Sequence, residues 1–290
     1  MQLTGPLVTT AWLNAHLADP SLRIYDTTIY LKHKPEGFGY IPESGRAEWA
    51  DAHIPGADFL DVIGELSDSE SGLPFMMPSP EAFAATMAAH GVADGTAVVL
   101  YNKGYPMWST RVWWMLRSIG FDNVAVLDGG YEKWVGDGYS LDAGVPTYPR
   151  GRLSVAARPA MWTDKSRMLD VVDSGSPVTI NALAPEVYSG EKNQYGRPGH
   201  LPGTHNVYYG SLIDPVSGEF LPPDKLAPLF AASGALEADE VITYCGGGIS
   251  ATMDCLALEL CGQRKVAVYD GSMSEWVRDP ALPLTLGPAP

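Results

Sequence analysis

Short hydrophobic runs alternate with amphipathic segments along this chain of 290 residues. In the first half, Leu22–Tyr25, Val98–Tyr101 and Val124–Leu127 are β-branched or apolar runs bounded by polar and turn residues. Runs of this length suit strands that are buried on both faces of a parallel sheet. The pattern predicts strands that alternate with helices, and therefore an α/β fold with a mainly parallel sheet flanked by helices.

The segments between these runs carry helix start and stop signals. Ser79 is a suitable N-cap, and Gly91 suits the position just past the last helical residue. Phe83 and Met87 are spaced so that they share one face, which we expect to pack on the sheet. A second helix is predicted over Ser109–Ile119, where apolar residues again recur at helical spacing.

The whole pattern occurs twice in the chain. Three segments recur in the same order, 147, 143 and 142 positions further along: AHIPGA as GHLPGT, VVLY as VITY, and VAVLDG as VAVYDG. A constant order and a nearly constant spacing indicate an internal duplication. We therefore expect two domains of the same α/β type, over residues 1–142 and 160–290, joined by a linker over 143–159 that is rich in proline and glycine.

Composition and charge narrow the classes of function. The chain has 19 Lys and Arg residues against 34 Asp and Glu, a formal net charge of −15, so neither nucleic acid nor an anionic membrane surface is an expected partner. No run approaches the roughly 20 apolar residues of a membrane span, and the first residues lack the features of a signal peptide. Three cysteines are too few for a disulfide framework, which favours a cytoplasmic protein with reduced thiols.

Cys245 is the candidate nucleophile. It follows the predicted strand Val241–Tyr244 and opens a loop that leads into a predicted helix over Ala251–Leu260. Ligands of α/β folds bind at such carboxyl ends of parallel strands. The loop's glycines let successive amides turn inward as an anion-binding nest, which favours a thiolate at its mouth. The loop residues whose amides form this nest are Gly246, Gly247, Gly248, Ile249 and Ser250.

Other interpretations of these residues remain open at this point. A triple glycine is also typical of a merely flexible loop, and a single cysteine often packs as a small hydrophobe. The Cys-x5-Arg loop of phosphatases is not present, because Ala251 stands at the arginine position. The histidines do not have metal-site spacing, so a metal is not expected. His53 belongs to the repeated His-x-Pro-Gly element, for which we weigh a structural turn role against substrate binding.

Longer stretches of the chain resemble a known family. AEWADAHIPGADFLDV, RPGHLPGTHNV and YCGGGISATMDCLALELCGQRKVAVYDGSMSEW are similar to the tandem-rhodanese sulfurtransferases, that is, the thiosulfate and 3-mercaptopyruvate sulfurtransferases. The resemblance covers nearly the whole chain and implies two tandem rhodanese-like domains, with a catalytic cysteine only in the C-terminal one. Asn102 stands at the equivalent N-terminal position, so the N-terminal domain looks catalytically silent.

The resemblance also implies a reaction. Cys245 would take a sulfur atom from a small anionic donor, either thiosulfate or 3-mercaptopyruvate, and hold it as a persulfide. The acceptor would be a small thiol, a thioredoxin-like protein or, in an assay, cyanide. No metal or organic cofactor is implied. Ser250 would either donate its hydroxyl to the donor or the persulfide, or only cap the following helix.

The chain departs from the family at the donor site. Members of the family carry an Asp-Ala-Arg-like element whose arginine meets the donor carboxylate, whereas this chain has Asn181-Ala-Leu183. Arg197 is the remaining cation at a matching position, and we expect it to bind the donor, since the acidic chain as a whole repels anions. The Cys-Gly-Gly-Gly loop is nearer to the mercaptopyruvate type. The missing arginine motivates an alternative, a rhodanese-like interaction or regulatory module without activity.

Overall fold

A computed structural model describes residues 1–290, and in it the first half of the chain forms one parallel sheet with helices around it. The strands of this half are β1 (Leu7–Val8), β2 (Leu22–Asp26), β3 (Ile29–His33), β4 (Tyr40–Ser44), β5 (Ala57–Phe59), β6 (Ala97–Tyr101) and β7 (Val124–Leu127), of which β3 and β4 form a separate hairpin. Its helices are α1 (Thr10–His16), α2 (Arg46–Asp51), α3 (Pro80–Ala89), α4 (Met107–Ser118) and α5 (Gly130–Gly136). The alternation of strand and helix follows the hydrophobic pattern of the sequence.

The second half of the chain repeats this arrangement. Its strands are β8 (Trp162–Thr163), β9 (Val178–Asn181), β10 (His205–Asn206), β11 (Val241–Tyr244) and β12 (Val266–Tyr269). Its helices are α6 (Lys165–Ser174), α7 (Pro185–Tyr188), α8 (Pro223–Ala231), α9 (Ala251–Leu260) and α10 (Ser272–Trp276), with single 3-10 turns at Pro159–Met161 and Tyr209–Ser211. No helix of the chain has both the length and the hydrophobicity needed to span a bilayer.

The two sheets have the same topology. The first is ordered β1-β7-β6-β2-β5 and the second β8-β12-β11-β9-β10, so each strand occupies the place of its repeat equivalent. Every pairing within the two sheets is parallel. The two α/β domains of the same type expected from the sequence are therefore present. Only the antiparallel hairpin β3–β4 of the first domain lacks a counterpart in the second.

The local signals identified in the sequence act as expected. The hydroxyl of Ser79 accepts a hydrogen bond from the amide of Ala82, 3.2 Å away, at the start of α3. Gly91, which follows that helix, has the positive φ of +90° that a helix stop requires. Helix α9 has the predicted bounds, whereas α4 begins at Met107, two residues before its prediction. Pro106 at the N-cap explains the earlier start, since proline suits the beginning of a helix.

The two domains pack through their equivalent helices, α4 and α9. The hydroxyls of Thr110 and Thr252 are hydrogen-bonded at 2.8 Å, and these two residues are repeat equivalents, 142 positions apart. Two turns further on, Arg117 forms an ion pair with Glu259, again its equivalent. A continuous cluster of buried hydrophobic residues runs through both domains. The helices that lead away from the two equivalent loops thus form the centre of the molecule.

The segment over 143–158 contains neither helix nor strand, but hydrogen bonds and an ion pair attach it to the first domain. The Tyr148 hydroxyl donates to the carbonyl of Gly56 at 2.5 Å, and the Ala156 amide donates to the carbonyl of Ile119 at 2.7 Å. Arg158 pairs with Asp122 at 2.6 Å. The segment is therefore an irregular strap along the first domain. Strands of the first sheet lie within residues 7–127 and those of the second within 162–269.

Candidate active site

A cavity of about 440 Å³ opens at the carboxyl edge of the second sheet, over the loop between β11 and α9. Cys245 lies on this loop and is only 2% exposed. The cavity is lined by Leu31, Lys34, Phe38, Gly39, Tyr40, Pro42, Pro74, Phe75, Met107, Leu183, Tyr195, Cys245, Gly246, Gly247, Ile249, Ser250, Ser274, Val277 and Arg278. Residues of both domains form its wall, so the site is complete only when the domains are together.

The loop amides fall into two groups. The amides of Cys245 and Gly248 donate to the hydroxyl of Ser272, each at 3.1 Å, and that hydroxyl donates to the carbonyl of Tyr269 at 2.7 Å. Ser272 thus fixes the curl of the loop from the start of α10. Four other loop amides have no protein acceptor and belong to residues that line the cavity: Gly246, Gly247, Ile249 and Ser250. Such free amides at a helix start can stabilise an anion that forms on Cys245.

Two of the three glycines are required by their surroundings. A Cβ at Gly246 would collide with the Tyr195 hydroxyl. Gly248 has a φ of +73°, and a Cβ there would lie 2.6 Å from Oδ1 of Asp270. A Cβ at Gly247 would meet only ordinary contacts, the nearest with Phe75 at 3.8 Å. The loop therefore packs so closely against Tyr195 and Asp270 that side chains are excluded at its first and third glycines.

An arginine of the first domain supports this loop from behind. The Nη1 atom of Arg111 lies 2.6 Å from Oδ1 of Asp270 and 3.2 Å from the carbonyl oxygen of Gly248. Its Nη2 atom donates to the carbonyl of Phe75 at 2.7 Å, and its side chain is fully buried. The sequence contains one signal for Arg111. It is a charged residue at a position where the second copy has the apolar Met253.

Ser250 has a free hydroxyl on the cavity wall. It occupies the N-cap position of α9 with helical angles, φ −64° and ψ −23°, and its side chain makes no capping hydrogen bond. In the structure, this hydroxyl does not cap the helix and is available to a ligand in the cavity. Tyr195 is a further hydroxyl of the wall that sequence reasoning missed. Burial, and then the nearby Cys245, raise the pKa of Tyr195, so this hydroxyl keeps its proton and can donate it.

The structure does not bring Arg197 to the cavity. Its Nη1 atom donates to the carbonyl of Asp279 at 2.7 Å and its Nη2 atom to the carbonyl of Leu282 at 2.6 Å. The expectation that Arg197 binds the donor therefore needs correction, because its guanidinium is hydrogen-bonded to the backbone of the C-terminal segment. The cations that do line the cavity are Lys34, in the turn of the β3–β4 hairpin, and Arg278, after α10.

His53 also lies outside the cavity. Its ring is buried and stacks on Trp49, with Nδ1 2.7 Å from the carbonyl oxygen of Trp49 and Nε2 2.9 Å from that of Gly144. The equivalent His200 stacks on Tyr188 and approaches its carbonyl oxygen at 2.8 Å. Each histidine ring is thus hydrogen-bonded to backbone carbonyl oxygens. This is the structural turn role rather than a contact with substrate.

The equivalent loop of the first domain is filled by its own side chain. Asn102 accepts hydrogen bonds from the amide and the hydroxyl of Ser109, at 3.2 and 2.6 Å. It donates to the carbonyls of Lys103 and Tyr105, each at 2.8 Å. An amide side chain with all these bonds supplies no nucleophile and occupies the space where a sulfur would sit.

The two other cysteines have different surroundings. Cys255 is buried within α9, where burial raises the pKa of its thiol, and it lies 3.2 Å from the Thr243 hydroxyl. Cys261 is half-buried at the end of that helix, and burial raises its pKa as well. All three cysteines are free thiols. Nowhere do three His, Cys, Asp or Glu side chains converge as a metal site would require.

Comparisons with known proteins agree with this geometry. The family model for the rhodanese-like domain matches residues 9–137 and 187–279. The 3-mercaptopyruvate sulfurtransferase of Escherichia coli (strain K12) is 32% identical over 281 residues, which cover 94% of this chain and 95% of that protein. Thiosulfate/3-mercaptopyruvate sulfurtransferase 2 of Arabidopsis thaliana is 31% identical over 308 residues, which cover 96% of this chain and 86% of that protein.

A solved structure shows the same fold over almost the whole chain. The crystal structure of SseA from Escherichia coli, a 3-mercaptopyruvate sulfotransferase, superposes with a TM-score of 0.82 at 31% identity, covering 93% of this chain and 99% of that one. Fold, loop and comparisons together define a two-domain rhodanese, and the chain belongs to the rhodanese family. It is an enzyme, a sulfurtransferase.

Proposed function

We propose that the enzyme transfers one sulfur atom from a small anionic donor to a thiol acceptor through a persulfide on Cys245. The observation that carries this proposal is the position of Cys245, nearly buried at the floor of the cavity beside four unpaired loop amides. A persulfide has a terminal anionic sulfur, and these amides are the donors that would hold it.

In the first half-reaction, the Cys245 thiolate attacks the outer sulfur of the donor. With thiosulfate, a bond forms between Sγ and that sulfur while the donor's own S–S bond breaks, and sulfite leaves with the bonding electron pair. With 3-mercaptopyruvate, the C–S bond breaks instead, and the electron pair produces the enolate of pyruvate, which takes up a proton. Either route leaves Cys245 as a persulfide.

In the second half-reaction, the acceptor thiolate attacks the outer sulfur of the persulfide. The S–S bond to Sγ breaks, its electron pair returns to Cys245, and the acceptor leaves as its own persulfide. The hydroxyls of Ser250 and Tyr195 lie on the same wall and are placed to donate to the sulfur or to the donor. Burial of Cys245 limits the access of water to the intermediate.

Thiosulfate and 3-mercaptopyruvate are the proposed donors because the relatives named above carry those names. The proposal assigns binding of the anionic donor to Lys34 and Arg278, the cations that line the cavity, and not to Arg197. The first domain supplies no nucleophile, because Asn102 stands in place of a cysteine. It does form part of the cavity wall. A reducing compartment such as the cytoplasm suits the enzyme, since all three thiols are free.

Steady-state turnover with each donor and a thiol acceptor tests the proposal. We expect turnover with at least one donor, its loss in Cys245→Ser, and its retention in the matched control Cys261→Ser, whose thiol lies outside the cavity. Equal activity of the wild type and Cys245→Ser would contradict the proposal. Absence of turnover with every donor would instead favour the alternative, a rhodanese-like interaction module.

A further inference from the structure

We propose that Gln194 is a positioning residue for sulfur transfer: its side chain orients the hydroxyl of Tyr195 toward the sulfur that Cys245 carries, and the first domain holds it in place. The inference rests on the proposed function and gives a role to a residue that does not itself line the cavity. Three observations support it: the free proton of the Tyr195 hydroxyl, the contacts of the segment around Gln194, and a comparison of the two repeats.

The hydroxyl of Tyr195 has a free proton beside the catalytic loop. Its oxygen accepts a hydrogen bond from Nε2 of Gln194 at 3.1 Å, and no group of the protein accepts its proton. The same hydroxyl packs so closely on Gly246 that a Cβ would not fit there, and Tyr195 lines the cavity. A phenol can donate one hydrogen bond and accept others. Because Gln194 takes the acceptor side, the proton is left for a ligand in the cavity.

Tyr195 stays protonated well above neutral pH. Burial, then the nearby Cys245 and then Tyr40 raise the pKa of Tyr195. A hydroxyl that keeps its proton can donate to an anionic sulfur, and hydrogen bonds to charged partners are stronger than those between neutral groups. Tyr195 is therefore suited to hold a persulfide anion rather than to exchange protons with it.

Gln194 is held by the β3–β4 hairpin of the first domain. Its backbone carbonyl accepts a hydrogen bond from the amide of Gly39 at 2.9 Å. The ring of Phe38 lies beside the following turn, 3.4 Å from the place of a Cβ at Gly196. The hairpin has no counterpart in the second domain. The first domain therefore reaches the hydroxyl of Tyr195 through Gln194.

The first repeat contains the equivalent contact with different chemistry. Glu48 is the repeat equivalent of Tyr195, 147 positions earlier, and Lys103 is the equivalent of Gly246, 143 positions earlier. Oε2 of Glu48 lies 2.8 Å from Nζ of Lys103, so an ion pair closes that loop. In the second repeat a phenol and a glycine stand at these positions, and the proton of the phenol stays free. The contact is thus structural in one repeat and open to a ligand in the other.

The hydrogen bond assists the second half-reaction, and Tyr195 keeps its proton throughout. The outer sulfur of the persulfide carries negative charge, which repels an anionic acceptor. A hydrogen bond from Tyr195 draws part of this charge away, so that attack on the outer sulfur becomes easier. A bond forms between the acceptor and the outer sulfur, the S–S bond to Sγ breaks, and its electron pair returns to Cys245.

Sulfur removal by cyanide measures this contribution. The enzyme is loaded with sulfur from thiosulfate or 3-mercaptopyruvate, freed of donor and mixed with cyanide, and the thiocyanate formed is followed at constant pH. Tyr195→Phe should lower the second-order rate constant about tenfold or more, as expected for the loss of a hydrogen bond to a charged group. Tyr105→Phe, which removes the hydroxyl of a tyrosine outside the cavity, is the matched control and should react as the wild type.

A double-mutant cycle distinguishes positioning from a structural role of Gln194. Gln194→Met keeps the length of the side chain and the backbone contact with Gly39, but it cannot donate to Tyr195. Because the hydroxyl is then free to rotate, the rate constant should fall severalfold. In the Tyr195→Phe background, the same substitution should change the rate constant by less than about twofold, since there is no hydroxyl left to orient.

Gly39→Pro tests the contribution of the first domain. It removes the amide that binds the carbonyl of Gln194, and proline cannot adopt the φ of +86° that Gly39 has. We expect the rate constant to fall severalfold, and no further loss to appear when Gly39→Pro is combined with Tyr195→Phe.

Two results would overturn the inference while leaving the proposed function intact. One is a rate constant in Tyr195→Phe that equals or exceeds that of the wild type, on a persulfide that forms normally. The other is an additive loss, in which Gln194→Met lowers the rate constant equally with and without the hydroxyl of Tyr195. If no persulfide forms in the wild type, the proposed function itself fails, and this outcome is seen before cyanide is added.

Discussion

Arg111 and Asp270 form a buried ion pair that joins the two domains directly behind the loop of Cys245. Nη1 of Arg111 lies 2.6 Å from Oδ1 of Asp270, and the other carboxylate oxygen accepts from the amide of Met77 at 2.7 Å. The same Nη1 lies 3.2 Å from the carbonyl oxygen of Gly248, within the loop itself. The pair thus connects the domain interface to the backbone that surrounds Cys245, the proposed nucleophile.

The ion pair breaks the symmetry between the two repeats. Asp128 is the repeat equivalent of Asp270, and it accepts a hydrogen bond from the amide of Phe220 in the other domain at 2.8 Å, just as Asp270 does from Met77. No arginine pairs with Asp128, because Met253 is the equivalent of Arg111. Burial raises the pKa of Asp128 to about 6. The cation is therefore present only in the half of the interface that supports Cys245.

Arg111→Met, which copies the second repeat, should impair both stability and turnover. Removal of one partner from a buried pair costs about 3–5 kcal/mol, because the other charge stays buried. We expect the free energy of unfolding to fall by an amount near the lower end of this range, and kcat to fall more than KM changes. Denaturant unfolding and steady-state kinetics are the measurements.

The double variant Arg111→Met/Asp270→Asn separates the two effects. Without the buried carboxylate it should regain more than half of the lost stability, yet kcat should stay low, since the contact with Gly248 is still missing. Normal turnover in the single variant would refute the positioning role of Arg111.

Ser272 should act through its hydroxyl and not through its backbone. It has a φ of +49°, and its repeat equivalent Gly130 has +59°. Ser272→Ala and Ser272→Gly both remove the acceptor of the Cys245 and Gly248 amides, so both should lose about tenfold in kcat/KM. Only the glycine variant relieves the strain, and it should be about 1 kcal/mol more stable than the alanine variant. Activities that differ between the variants in step with their stabilities would contradict this assignment.

Ser250→Ala should lower turnover without destabilising the fold. The hydroxyl lines the cavity and makes no capping hydrogen bond, so its removal should change the free energy of unfolding by less than about 0.5 kcal/mol. Loss of a hydrogen bond to the reacting sulfur should lower kcat with at least one donor. A stability loss of about 1 kcal/mol with unchanged kinetics is the pattern of a helix cap and would contradict the prediction.

Asp254 predicts a pH dependence of stability. Both carboxylate oxygens are buried within α9 without a partner, and burial raises the pKa of Asp254 well above its usual value. At about pH 3 and below, this carboxyl is mostly protonated in both the folded and the unfolded chain, since an unfolded aspartate has a pKa of about 3.9. As pH rises, only the unfolded chain releases the proton, so the folded state loses stability.

Asp254→Asn should remove this component. Compared with the wild type, the variant should be more stable at pH 7, by more than about 1 kcal/mol, and nearly equal at about pH 3. Denaturant unfolding at the two pH values measures the difference. The same stability difference at both values would show that Asp254 does not titrate in this way.

The repeats, the strand and helix types and the candidate nucleophile could all be predicted, because each depends on residues that are close in sequence. Helix α9 has its predicted bounds because an uninterrupted helix-forming segment follows the glycine loop. The two α/β domains follow from strand runs that recur in constant order. The fold and the choice of Cys245 as the candidate nucleophile therefore required no long-range information.

The wall of the cavity could not be predicted, since it depends on contacts across the domain interface. Lys34 lies about two hundred residues from Cys245 in the chain and reaches the site only through the β3–β4 hairpin. The family resemblance predicts Arg197 there, because it is the remaining cation at a matching substrate-binding position. Its guanidinium instead binds two backbone carbonyls of the C-terminal segment, which no local pattern reveals.

The location of the transferred sulfur is the most direct test of the central claim. After incubation with thiosulfate or 3-mercaptopyruvate and removal of the donor, the protein is alkylated, digested and analysed by mass spectrometry of the three cysteine peptides. We predict one additional sulfur per chain, found on the peptide of Cys245, and none on those of Cys255 or Cys261. Sulfur on Cys261 at a comparable level, or unmodified protein with both donors, would contradict the account.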